Sequence, residues 1–367
     1  MKVAFLAQHL KASGGAERVL SVFANELSSR EGFEVSVVLM FPQGSEYRLD
    51  SRVRKVYLYN DDRQYAASSP FDRILKIRYA LKELKIDYAI PFLWFICLYT
   101  FAATVGTNTK LIQTVRNNPA LVPGSSVMRA VRLATMRFSH GCFVQNTAQL
   151  EYFPKSLRDK MVVIPNPISD EFLELEVDPT ASDTVVMVGR LVEQKNHIMM
   201  LKAVSLLRDQ GRIVKVLIYG DGDLRQDISN EIKQAGLSDI CKLMGSTEDV
   251  PSVFSKAGVY VLTSRYEGQP NSLLEAMASG LPCISTDCPT GPSDFISDGE
   301  NGYLVSIDDV PTLAERVGEL LASPSLRSRL GINAKKKHIK CMLPKDVDGS
   351  AHRCFHSLDL RSAKQEM

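Results

Sequence analysis

Short apolar runs alternate with longer amphipathic stretches through most of the chain, and this alternation leaves few architectures open. Residues 2–7, 34–40, 87–92, 110–115, 142–145 and 161–164 are short and largely apolar. Runs of that length, apolar on both faces, read as strands of a parallel sheet covered on both sides. Between them lie stretches with apolar residues at helical spacing. Within 72–85, for example, Ile74, Leu75, Ile77, Leu81 and Leu84 recur with Lys and Arg between them. The scheme then starts again. Strands are expected at 184–188, 214–219, 241–244, 259–262, 282–286 and 303–305, with helices at 197–208, 223–235, 271–279 and 310–322. Two series of strand–helix units predict an α/β protein with two lobes, each built on a parallel sheet.

The length of 367 residues agrees with two domains at roughly 150 residues each. Residues 166–184 are rich in Pro, Asp and Glu and have little periodicity, so they are expected to link lobes spanning 1–168 and 169–335. A polar tail, 336–367, follows. A ligand is expected between the lobes, at the carboxyl ends of the strands.

Net charge is only +2, which argues against a general nucleic-acid binder. That total conceals a split. Residues 1–168 hold 22 Lys+Arg against 13 Asp+Glu, a surplus of 9, whereas 169–367 hold 22 against 29, a deficit of 7. The seven cysteines are scattered and form no C-x-x-C pair, which points to reduced thiols in a cytoplasmic protein. The apolar start is too short for a secretion signal and reads as the first strand. Residues 88–106 carry no charge, but Pro91 interrupts them, and a buried strand followed by a buried helix is expected there.

Three constellations carry chemistry. Tyr266-Glu267-Gly268-Gln269-Pro270-Asn271 follows a strand and opens a helix, whose N-terminal N–H groups and partial positive charge favour a phosphate. Glu275 stands one turn inside it, eight residues after Glu267, and two carboxylates at an anion site suit sugar or ribose hydroxyls. A helix with an acidic first turn accounts for the same residues without a ligand. In the second constellation, 188–197, Arg190 ends a strand and Lys195 precedes a helix. This guanidinium–ammonium pair suits a diphosphate, though two surface cations on a loop fit as well. The third is Ser13-Gly14-Gly15-Ala16-Glu17-Arg18, a strand–turn–helix junction that lacks a Walker ending and the G-x-G-x-x-G pattern. No Asp-x-Asp pattern is read as a divalent-cation site, so metal-free chemistry is expected.

Together these segments resemble retaining glycosyltransferases of family 4, which have the GT-B fold, over about residues 1–335. The likeness rests on GGAERV (14–19), VIPNPI (163–168), VGRLVEQKNH (188–197), YGDG (219–222) and YEGQPNSLLEAMASGLPCISTDCPTGP (266–292). The last holds the family's E-x7-E pair as Glu267 and Glu275. RNNP (116–119) and TDCPTGP (286–292) are similar to enzymes of bacterial lipid-linked oligosaccharide, capsule and exopolysaccharide synthesis.

The resemblance implies that Arg190 and Lys195 hold the donor diphosphate, with Glu267 beside the donor sugar and Glu275 at the ribose hydroxyls. Gly268, Gln269, Pro270, Asn271 and Ser272 would place backbone at the distal phosphate, and 243–249 would pass the base. Gly14 and Gly15 would approach from the other lobe, with Glu17, Arg116 and Asn117 near the acceptor or sugar. Many members have a His where Arg116-Asn117 stand here, so a catalytic His is left unassigned, with His9 and His140 as candidates. A helix crossing back to the first lobe is expected within 344–358.

The implied activity is transfer of a sugar from a nucleotide-diphosphate sugar, with UDP expected, to a hydroxyl of a glycan acceptor, expected to be lipid-linked. No cofactor or metal is implied. A non-catalytic sugar- or nucleotide-binding protein and a sugar-nucleotide epimerase of the same fold are the alternatives. The basic stretches 72–85 and 127–137 suit peripheral contact with an anionic membrane on its cytoplasmic side.

Overall fold

The computed structural model describes residues 1–11 and 15–342. They form two compact units, one ending at Pro167 and one beginning at Ile168. In the first unit, seven strands take the order β3-β2-β1-β4-β5-β6-β7. These are β1 (Lys2–Ala7), β2 (Glu34–Leu39), β3 (Arg54–Tyr57), β4 (Tyr88–Pro91), β5 (Lys110–Thr114), β6 (Gly141–Val144) and β7 (Met161–Val163). In the second unit, six strands take the order β10-β9-β8-β11-β12-β13. They are β8 (Thr184–Val188), β9 (Lys215–Tyr219), β10 (Cys241–Gly245), β11 (Val259–Leu262), β12 (Cys283–Thr286) and β13 (Tyr303–Val305). Neighbouring strands pair in parallel throughout, as for β1 with β2 and β4 and for β8 with β9 and β11.

The twofold period of a strand explains why each sheet needs helices on both faces. In β1, Val3, Phe5 and Ala7 join the core beneath the helix Gly15–Ser28, with Leu20, Phe23 and Leu27. The intervening Ala4 and Leu6 join the opposite core with Ile77 and Leu81 of the helix Pro70–Glu83. β8 repeats this. Val185 and Met187 pack with Met200, Val204 and Leu313, whereas Val186 packs with Leu273, Leu274 and Met277 of the helix Asn271–Ala278.

The uncharged stretch after residue 88 is β4 followed by the helix Trp94–Thr104. No described helix is long and apolar enough to cross a membrane.

Several boundaries differ from expectation for identifiable reasons. The helix expected to open at Asp72 begins at Pro70, because Ser69 Oγ accepts the Asp72 N–H and Pro70 occupies the first turn. β3 lacks an apolar run: it is an edge strand whose Arg54 and Lys55 face solvent. Nor is the expected linker all loop. Its helix Asp170–Leu173 buries Phe172 to 1% exposure against Phe254, with ring centroids 5.9 Å apart. The second unit's chain runs past residue 335 in the helix Pro324–Met342. There Arg327, 1% exposed, pairs with Asp183 at 2.6 Å. The expected crossing helix lies outside the described residues.

Replacing Phe172 by Ala removes a fully buried ring at the entrance to the second unit and should cost about 3–5 kcal/mol. Calorimetry should then show the second unit's transition falling while the first unit's stays. An unchanged thermogram would contradict its assignment to that core.

Candidate active site

In the second unit, the carboxyl ends of β8, β11 and β12 carry the residues singled out by sequence. Arg190 follows β8, is exposed, and has no described residue paired with its guanidinium. Its loop is fixed by main-chain proximity. Gly220, with φ of 143°, lies so close that a Cβ there would fall 1.9 Å from the Gly189 carbonyl oxygen. The chain next makes one 3-10 turn at Glu193–Lys195, and Asn196 adopts a left-handed conformation before the helix His197–Asp209.

Lys195 points back across the strand ends. Its Nζ lies 2.7 Å from Glu267 Oε1, the two side chains being 14% and 7% exposed. This ion pair joins positions 72 residues apart. The loops are sewn together around it. Gln194 Nε2 donates to the Tyr266 carbonyl at 2.8 Å, Arg265 N–H to the Gln194 carbonyl at 2.8 Å, and Thr263 Oγ1 to the Lys195 carbonyl at 2.8 Å. Ser264 Oγ donates to Glu267 Oε1 at 2.6 Å. Burial, and then the Lys195 charge, pull the imidazole of His197 down to about 4, so it is neutral at pH 7.

The segment after β12 braces Glu267 from behind. Thr290 Oγ1 donates to the Glu267 carbonyl. Gly291, at φ of 110°, admits Pro270, whose Cδ would stand 2.9 Å from any Cβ at 291. Gly268, Gln269 and Pro270 are buried, and Pro270 precedes the first turn of Asn271–Ala278 with no side chain capping that turn. Pro270 has no N–H, so its part is to fix the turn. Ser272 Oγ accepts from Tyr260 OH at 2.7 Å. Glu275 is 2% exposed. Residues 243–249 leave the end of β10, and Asp249 Oδ1 caps the next helix by accepting the Ser252 N–H. Among the described residues, no group of three His, Cys, Asp or Glu side chains is placed to hold a metal ion.

Apart from His140, the sequence-predicted residues of the first unit fall in two groups beyond the carboxyl ends of its strands. Gly15 opens the helix Gly15–Ser28, whose first turn holds Glu17, and Glu17 Oε1 lies 3.6 Å from His9 Nδ1. Gly14 lies outside the described residues. The Arg116 guanidinium sits 4.3 Å from the Phe92 ring centroid and donates to Asn166 Oδ1 at 2.8 Å. Burial lowers it to about 9, still protonated at pH 7. Asn117 gives its side-chain oxygen to the Asn118 N–H and its carbonyl to Gln149. Gln145 Nε2 joins Arg116 on Asn166 Oδ1 at 2.9 Å. His140 stacks edge-on with Tyr88 at the other ends of the strands.

Sequence reasoning missed Ser264, Thr286, Thr290 and Gly291 in the second unit, and Gln145, Gln149 and Asn166 in the first. Asn166 lies within the VIPNPI segment, but nothing in that segment announces its partner 50 residues upstream.

Most cations of 72–85 and 127–137 work inside the fold. Arg73 donates to the Tyr65 and Ser68 carbonyls and stacks on Tyr65, Lys76 reaches the Leu58 carbonyl, and Arg78 the Ala103 and Val105 carbonyls. Arg129 binds the Pro123 and Gly124 carbonyls, and Arg132, 6% exposed, those of Pro119 and Val122. Lys82, Lys85 and Arg137 remain exposed. Phe71, Leu75 and Tyr79, 68%, 46% and 70% exposed, stand one turn apart along Pro70–Glu83.

Two family models match in tandem, Glycosyltransferase Family 4 over residues 13–172 and Glycosyl transferases group 1 over 171–337. GalNAc-alpha-(1->4)-GalNAc-alpha-(1->3)-diNAcBac-PP-undecaprenol alpha-1,4-N-acetyl-D-galactosaminyltransferase of Campylobacter jejuni is 31% identical over 342 residues, 92% of this chain and 93% of that one. The amylovoran biosynthesis glycosyltransferase AmsD of Erwinia amylovora is 25% identical over 333 residues, 89% and 92% of the two chains. Among solved structures, a mutant of S. aureus TarM superposes with a TM-score of 0.80 at 15% identity, covering 97% of this chain and 99% of that one. Anabaena HepE, solved with UDP and glucose, gives 0.80 at 17% identity, covering 98% and 99%. Matched along nearly its whole length by a named transferase and by both halves of the family's models, the chain belongs to glycosyltransferase family 4 and is a glycosyltransferase with two Rossmann-like lobes of the GT-B type.

Proposed function

We propose that this enzyme moves a sugar from a UDP-sugar to a hydroxyl of a lipid-linked glycan in bacterial surface-glycan synthesis, with retention at the anomeric carbon. The observation that carries the site assignment is the Lys195–Glu267 pair, set between the carboxyl ends of β8 and β11 beside the start of Asn271–Ala278. The acceptor class is supported by the Campylobacter relative, named for an undecaprenol-linked substrate, and by the amylovoran enzyme. The base is supported by the UDP complexes of TarM and HepE.

In this reading Arg190 and Lys195 hold the diphosphate, and the first turn of Asn271–Ala278 meets the distal phosphate. The bond from the sugar carbon to the diphosphate oxygen breaks, the acceptor hydroxyl oxygen bonds to that carbon on the same face, and the hydroxyl proton passes to the departing phosphate oxygen. Negative charge grows on the departing phosphate, where the two cations and the helix amides stabilise it most. Charge neutralisation by Arg190, Lys195 and the helix leaves no step for a metal ion or cofactor. Glu267 accepts hydrogen bonds from the donor sugar and Glu275 from the ribose.

Glu275→Ala and Lys195→Ala should each lower transfer about 100-fold or more while the chain stays folded by circular dichroism. Full activity in either variant would remove this site from consideration. Thermal-shift measurements should show UDP, and UDP-N-acetylgalactosamine as the donor suggested by the Campylobacter relative's name, stabilising the fold by about 2.7 kcal/mol at 100 times Kd. GDP- and ADP-sugars should not. Stabilisation by those instead would overturn the choice of base.

The same proposal places the enzyme peripherally on the cytoplasmic membrane face. All five described cysteines whose side chains can be placed are free and buried, in keeping with a reducing compartment. Because most cations of 72–85 and 127–137 are engaged inside the fold, membrane contact through these stretches rests on Phe71, Leu75 and Tyr79, with Lys82, Lys85 and Arg137 as free charges. Co-sedimentation with phosphatidylglycerol vesicles should fall several-fold in a Phe71→Ser/Tyr79→Ser double variant. No binding by the wild type at low salt would refute membrane contact.

A further inference from the structure

Ser264 belongs to neither of the charged constellations, yet it touches the carboxylate at their centre. It lies two residues beyond β11, is 0% exposed, and its Oγ donates to Glu267 Oε1 at 2.6 Å. Its own carbonyl accepts from Thr286 Oγ1, at the end of β12, at 2.6 Å. Lys195 Nζ approaches the same Oε1 at 2.7 Å. Oε1 therefore takes two hydrogen bonds, while Oε2 takes none from any described residue.

We infer that Ser264 is a positioning residue for Glu267, holding the carboxylate by one oxygen so that the other is left for a hydroxyl of the donor sugar. The inference deepens the proposed function and rests on its reading of Glu267. The two donors on Oε1 differ in a way that matters once substrate arrives. Lys195 is a mobile point charge with three N–H groups, and a diphosphate competes for it. The Ser264 hydroxyl is neutral and fully enclosed, and its main chain is tied to β12 through Thr286, so an arriving anion has no hold on it. Lys195 can then turn N–H groups to the donor while Ser264 keeps Glu267 in register.

The test compares Ser264→Ala and Ser264→Thr in the full chain, measuring UDP affinity, release of UDP from UDP-N-acetylgalactosamine, and melting temperature. Ser264→Ala should bind UDP within about twofold of wild type yet lose about tenfold or more in kcat, and Ser264→Thr, which keeps the hydroxyl, should recover most of it. Lys195→Ala should instead weaken UDP binding. An unchanged kcat in Ser264→Ala would overturn the inference. So would a fall in kcat matched by equal losses of UDP affinity and thermal stability, without recovery in Ser264→Thr. Glu267→Ala separates the two levels. If it keeps activity, the site reading itself fails, whereas if it is inactive beside a fully active Ser264→Ala, only the role given to Ser264 falls.

Discussion

The buried ion pair between Lys195 and Glu267 is the contact around which the second unit's strand ends are arranged. Removing either charge from water is costly, and deleting one partner of such a pair typically costs about 3–5 kcal/mol because the other is stranded. The surroundings meet that cost locally. Ser264 shares the carboxylate, Thr263 holds the Lys195 main chain, and Gln194 and Arg265 tie the two loops to each other. The result is an ammonium and a carboxylate already paired at the strand ends before any ligand arrives.

The parallel sheets determine where such an arrangement can form. Strands buried on both faces leave only their ends free to carry polar side chains, and in each unit the residues of interest gather at the carboxyl ends. In the first unit the same position holds a different chemistry. Arg116 is held by Phe92 and by Asn166, which also binds Gln145, so its charge is braced by amides and rings. An acidic partner is not used there. The two units thus share a plan of construction while their sites differ in charge and stiffness.

Legibility in the sequence followed the range of the interactions. β1, β8, β11, β13 and the helix Val310–Ala322 fall where apolar periodicity places them, since their identity is written in adjacent residues. β3 escaped notice because an edge strand has no need of an apolar run, and Phe172 because a single large side chain anchors an otherwise acidic segment. Residue type and spacing marked Arg190, Lys195, Glu267 and Glu275. Nothing local marks Ser264, and although Thr290 lies in the TDCPTGP segment, its bond to the Glu267 carbonyl is a contact made only after folding. Charge counting misled most. The basic surplus of the first unit reads as a surface property, but Arg73, Arg78, Arg129 and Arg132 spend their guanidinium groups on main-chain carbonyls.

The close approach of Gly220 to the Gly189 carbonyl bears on how such an enzyme can diversify. The loop carrying Arg190 is locked by backbone against backbone, so no side-chain replacement at 220 can retune it gradually; any Cβ meets a wall. In the neighbouring strand the Gly245 carbonyl accepts the Gly220 N–H at 2.8 Å and Gly245 keeps a φ of 81°, whereas Met244 beside it is 46% exposed. Sequence drift is therefore free to change the Met244 side chain while the main chain beneath the Arg190 loop stays constant. An engineer reshaping these strand ends would randomise Met244 first and leave Gly189, Gly220 and Gly245 alone.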